Sequence, residues 1–123
     1  MNGKIIPIYT SKGDAEAFLA YPYIFNRSGE WIGFVTPQRD VYSVFGDFVG
    51  TLTDDPRIIR KRALGAAPPH LQPPAPPQKA YLPATIPLPP MMADLSHSVI
   101  DVLLDEPERL HTIDSGEFRD DVD

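Results

Sequence analysis

His97 and Asp101, four positions apart in a stretch of helical periodicity, are the pair best spaced for acid–base chemistry. On a helix they share a face, so the carboxylate can orient the imidazole for proton transfer. No nucleophile is specified with them, and a surface hydrogen-bonded pair is the simpler reading. His70 and His111 stand 27 and 14 positions from His97 and match no compact metal-ligand spacing. Asp54 and Asp55 beside Arg57 offer paired carboxylates for Mg²⁺. Their loop supplies no other oxygen ligand and no phosphate-cradling glycine run, so a polar turn with a local ion pair is expected there. Arg60, Lys61 and Arg62 could meet a phosphate backbone. The chain as a whole is acidic, however, with 11 Lys+Arg against 17 Asp+Glu and a net charge of -6. That balance argues against a nucleic-acid partner, because like charges repel. The expected role of the cluster is to neutralise the chain's own carboxylates around Asp101, Asp105, Glu106 and Glu108. No catalytic, cofactor-binding or metal-binding residue is assigned, and no cofactor is expected.

At 123 residues the chain has room for one modest core, and 15 prolines dilute its apolar content. Residues 1–63 are near charge balance, whereas the acidic excess lies in residues 64–123. With no cysteine, disulfides and thiolate chemistry are excluded. No apolar run approaches the roughly 18 residues of a membrane span, and the first residues are too soon broken by Pro7 to form a signal peptide's apolar core. A cytoplasmic protein is the default expectation.

The elements that position these residues come from a repeat. Tyr9, Phe25, Tyr42 and Ile59 are anchors spaced by 16, 17 and 17 positions. Four residues after the first three anchors comes a glycine, Gly13, Gly29 and Gly46, and four later a small residue, Ala17, Gly33 and Gly50. Each copy reads as a β-hairpin, with β-branched and aromatic residues on either side of a turn whose glycine supplies positive φ. The small residue in the second strand predicts a bend or a close approach of backbones. Pro22, Pro37 and Pro56 link the copies. The fourth copy, from Arg57, is partial, and residues 57–61 are expected to pair with residues 4–9 and so bring the first and last copies together. The shared core is drawn from Tyr9, Phe18, Ile24, Phe25, Trp31, Phe34, Val41, Tyr42, Phe48, Leu52 and Ile58.

The stretches Tyr23-Ile24-Phe25-Asn26-Arg27-Ser28-Gly29, Val41-Tyr42-Ser43-Val44-Phe45-Gly46 and Asp54-Asp55-Pro56-Arg57-Ile58 resemble the bacterial proteins with a four-fold beta flower domain. The resemblance covers residues 3–63, about half the chain. It implies hairpin petals round a pseudo-fourfold axis, with no established activity and hence no catalytic positions to carry over. Ala17 departs from the pattern, where glycine would stand.

Residues 68–90 hold ten prolines in 23 positions, a density neither helix nor central strand accepts. Polyproline II or irregular extended chain remains. A spacer or a strap lying on the domain is the plain reading; a docking ligand is the other, with PxxP spacing at Pro73 and Pro76 and Lys79 nearby. From 93 to 104, Leu95, Val99, Val102 and Leu103 recur at helical intervals, with Asp94 or Ser96 as N-cap and Pro107 as terminator. The sequence thus predicts a mainly β chain of four short hairpin units, the last partial. Its divisions are a repeat domain over 1–63, a proline-rich extended segment over 64–92, a short amphipathic helix over 93–106 and an acidic tail over 107–123. The expected function is that of a non-enzymatic protein-interaction or structural module, engaging a protein partner or a second copy and no membrane. The alternative is a ligand-binding protein or hydrolase with a pocket on the repeat axis or at a subunit interface.

Overall fold

A small polar residue directly follows each of the first three repeat anchors, and its side chain shapes the turn. Thr10 Oγ1 accepts from Lys12 N, Asn26 Oδ1 from Ser28 N and Glu30 N, and Ser43 Oγ from Phe45 N and Asp47 N. Such local acceptors hold the chain in a turn that competes with any helix. The glycine three residues later has φ of 91°, 81° and 88° at Gly13, Gly29 and Gly46. Each of these glycines donates its N–H back to the carbonyl of the polar residue, which makes three tight hairpin turns, each with a register shift one strand position away.

The computed structural model describes residues 4–63, 65 and 68–114. Its strands are β1 (Ile6–Tyr9), β2 (Ala15–Ala20), β3 (Tyr23–Phe25), β4 (Trp31–Val35), β5 (Asp40–Ser43), β6 (Phe48–Leu52), β7 (Ile58–Lys61) and β8 (Val99–Asp101). They form one antiparallel sheet whose spatial order is the chain order, curled into a half-barrel. A single helical turn, α1 (Val102–Asp105), and a 3-10 turn, Pro107–Arg109, follow β8. Among the described residues no helix is long and apolar enough to cross a membrane.

Alternation along the strands sorts the apolar residues into two layers rather than the one shared core expected. Ile8, Ile24, Val41 and Ile58, each one residue before an anchor, are fully buried in an aliphatic cluster with Leu19, Val35 and Leu52. A second, aromatic cluster holds Phe25, Trp31, Phe34 and Tyr42, with Tyr23 and Phe48 packed at its edge. Phe34 and Tyr42 stack at 5.5 Å, and Phe48 meets Tyr42 edge-on at 5.8 Å.

Three expectations are overturned. The strand of residues 57–61 does not pair with residues 4–9; β7 lies between β6 and β8, and Arg62 N donates to Ser98 O at 2.8 Å. The first and last repeats still meet, through Tyr9 N donating to Pro56 O at 3.0 Å. The helix of residues 93–106 shrinks to the four residues of α1. Val99 and Ile100 are β-branched and β7 offers them an unpaired edge, so sheet pairing outweighs helical spacing until Asp101 caps the turn through Leu104 N. The segment from 107 is not a plain tail, because it opens with an ordered turn and Leu110 is buried in the aliphatic cluster. The acidic positions from 115 onward lie outside the described residues.

Candidate functional site

Two constellations concentrate the polar contacts between distant parts of the chain. The first is the seam where the β1–β2 turn meets β7 and β8. Asp101, 3% exposed, accepts from both Ser11 N and Ser11 Oγ at 2.6 Å through Oδ2. Arg57, 4% exposed, donates from Nη1 to Ser11 Oγ at 2.9 Å. From Nε and Nη2 it donates to Asp55 Oδ2 at 3.1 and 2.6 Å, and from Nη2 to Ala93 O at 2.9 Å. Thr53 Oγ1 donates to the other Asp55 oxygen. Burial opposes the Asp55 charge, but the Arg57 and Thr53 hydrogen bonds and the guanidinium charge outweigh it and hold its carboxyl below the usual carboxylate range.

A cavity of about 310 Å³ opens beside this seam, lined by Ser11, Arg57, Arg62, His97 and Asp101 among others. Ser11 Oγ donates to Asp101 and accepts from Arg57, so its hydroxyl ties the two charged side chains together. Every Arg57 nitrogen already has a partner. His97 and Asp101 are not the helical pair expected, because a turn at residues 97–98 leads into β8: His97 is exposed and Asp101 binds Ser11. Among the described residues no group of His, Asp and Glu could hold a metal ion.

The expected neutralisation of acidic side chains by Arg60, Lys61 and Arg62 is not what these contacts show. Arg62 Nε donates to the His97 carbonyl at 2.8 Å, Asp101 is held by Ser11, and Glu106 pairs with Arg109. Arg60 and Lys61 face Ile100 and Val99 across the β7–β8 ladder.

The second constellation is the proline-rich segment crossing the three glycine turns in reverse order. Leu71 N donates to Gly46 O at 3.0 Å and Ala80 N to Gly29 O at 2.8 Å. His70 Nε2 sits 2.6 Å from Phe45 O. Tyr23 OH donates to Ala75 O at 2.9 Å, and Tyr9 OH to Pro87 O at 2.7 Å. A Cβ on Gly46 would overlap the Leu71 carbonyl and one on Gly29 the Ala80 carbonyl, whereas one on Gly13 would meet only Pro89 Cγ at 3.3 Å. Glycine is therefore required at the middle turns for close approach as well as for positive φ.

Within the sheet, Gly33 and Gly50 serve the close approach read from the sequence. A Cβ on Gly33 would lie 2.5 Å from Tyr42 O and 2.8 Å from Leu110 Cδ2, and one on Gly50 would overlap Ile59 O. Ala17 fits without exposure opposite Ile8. Of the anchors, Tyr9, Phe25 and Tyr42 are buried and Ile59 half-buried. Pro73 is half-buried and Pro76 exposed.

Sequence reasoning missed the turn-capping residues Thr10, Asn26 and Ser43, whose signal was a small polar residue one position after each of the first three anchors. It also missed Ser11 as the shared partner of Asp101 and Arg57, for which the separations of 90 and 46 residues left no local sign. Compared with known proteins, the chain matches no family model, no curated protein and no solved structure.

Proposed function

We propose that the protein is a non-enzymatic interaction module that presents its proline-rich segment to a protein partner. The observation that carries this is the exposure of Tyr81, Leu88 and Met91, at 95%, 90% and 99%, on a backbone held down at Gly46, Gly29 and Tyr9. Large apolar side chains clustered in one short segment and turned wholly to water are the composition of a contact surface. The other candidate surfaces are smaller. The β1 edge is blunted by Pro7, and α1 turns Val102 and Leu103 into the core.

The repeat is read with it as a flower of hairpin petals round a pseudo-fourfold axis, akin to the four-fold beta flower proteins. Support comes from the three glycine turns of like φ and from the fully buried residue before each of the four anchors. The petals serve as the scaffold on which the segment is stretched.

A photo-crosslinking residue placed at Tyr81 or Leu88, with exposed Lys12 as control position, tests the function. Crosslinks to a defined protein from 81 and 88 are expected. Unlabelled wild-type chain should compete them away, and a Tyr81→Ser, Leu88→Ser, Met91→Ser chain should not. Equal crosslinking from Lys12, or equal competition by the triple variant, would sink the proposal.

A further inference from the structure

The surface beneath the segment, rather than the side chains above it, carries a further inference that does not depend on the proposed function. Over residues 74–80, Pro74, Pro77 and Ala80 are half-buried, while Ala75, Pro76, Gln78 and Lys79 between them are exposed; Pro73 before them is half-buried too, and Pro83 and Ile86 after them are exposed. Burial of every third residue over that stretch is the periodicity of polyproline II, which has three residues per turn. Ala80 packs on the aromatic cluster of Phe25, Trp31, Phe34 and Tyr42. The hydroxyl of Tyr23, packed at the edge of that cluster, donates to the segment carbonyl of Ala75, and the hydroxyl of Tyr9, in β1, donates to that of Pro87.

Aromatic rings that pack against every third residue, with phenol groups donating to free backbone carbonyls, are how proline-rich peptides are recognised between proteins. We infer that this outer aromatic face is a polyproline-binding groove occupied in cis by the chain's own residues 68–90, and that its partner is a proline-rich peptide of another protein. The backbone bonds that hold the resident, from Leu71 N and Ala80 N to the Gly46 and Gly29 carbonyls, would serve as well for any extended chain. A second copy is disfavoured as occupant, because its identical segment would compete against a tethered one at high effective concentration. Only a peptide that fits better than residues 68–90 displaces them, so the resident acts as an autoinhibitor that sets the affinity threshold.

The experiment weakens the resident and offers the original in trans. Leu71→Pro with Ala80→Pro deletes the two N–H groups that donate to Gly46 and Gly29, in a segment already dense in proline. A fluorescein-labelled synthetic peptide of residues 68–90 should bind this variant saturably and at least tenfold more tightly than it binds the wild-type chain. The same peptide carrying both prolines should bind the variant at least tenfold more weakly. Circular dichroism reports the fold. No saturable binding to a folded variant would overturn the inference, as would equal binding to variant and wild type or equal affinity of the two peptides. Loss of the β signal in the variant would also overturn it, because a segment whose removal unfolds the sheet is core and not ligand. Peptide-independent dimerisation of the variant in sedimentation would replace the foreign partner with a second copy.

Discussion

The two halves of this molecule are held by different kinds of contact. Seven of the eight strands lie between Ile6 and Lys61, joined by short turns whose capping groups sit within four residues of one another. Residues 68–114 supply one three-residue strand, one helical turn and a 3-10 turn, and are fixed by bonds to residues 25 to 90 positions away in the chain. The first half is built by local rules repeated. The second is a closure laid over it. The largest expected effect therefore belongs to the repeat: Phe18→Ala, at a fully buried ring, should cost about 4 kcal/mol of global stability in urea denaturation.

Next in size is the seam joining the halves. Arg57→Met should cost about 3 kcal/mol, because Asp55 and Ser11 lose their donor while Asp101 stays buried. Hydrogen exchange separates the halves: Ile100 should lose protection more than Ile24 does. Equal loss would show that the repeat and its closure unfold as one unit.

Acid and alkali act at different places, the seam and the middle of the repeat. The Asp55 carboxyl is held below its ordinary range, so its contribution is present above about pH 4, the unfolded value, and is lost as pH falls through the folded one. Tyr42, in the repeat, is pushed the other way by burial and by the charge of Asp40. Its contribution is present below about pH 10 and is lost as pH rises through the folded value. Acid should thus release β8 protection first, and alkali should loosen β4–β6. Exchange profiles at the two extremes check this, and the reverse order would mean that other groups govern both limbs.

The same division explains what the sequence made legible. Hairpins, turn glycines and the close approach at Gly33 and Gly50 were readable because each depends on residues within one repeat. β8 was not, because Val99 and Ile100 find their partners 38 and 40 positions earlier, and helical spacing of Leu95, Val99 and Val102 is equally compatible with an extended chain. The separation of aliphatic from aromatic layers was implicit in the alternation of Ile8 with Tyr9, Ile24 with Phe25 and Val41 with Tyr42. The seam depended on a curl of the sheet that no local pattern specifies.

Smaller effects come from the turns themselves. Gly46→Ala should cost about 2 kcal/mol, from positive φ together with overlap on Leu71, whereas Gly13→Ala should cost about 1, from φ with only Pro89 nearby. Thermal unfolding of the two variants, measured side by side, checks the ranking. Equal losses would mean that the segment yields at Gly46 without cost.

Smallest and most informative is Tyr9→Phe, which removes one hydroxyl that donates to Pro87 O and leaves the buried ring in place. A neutral hydrogen bond is worth about 1 kcal/mol net, and the Pro87 carbonyl can turn to water when its donor is gone. The global transition should therefore move little. Segment residues such as Leu88 should exchange their amides several-fold faster, while Ile24 and Val41 in the sheet keep their protection. That split requires the segment to open without the sheet, since otherwise both sets of amides would report the same free energy. If Ile24 and Leu88 change in parallel, the proline-rich segment belongs to the cooperative core and the distinction between a repeated scaffold and a closure laid over it dissolves.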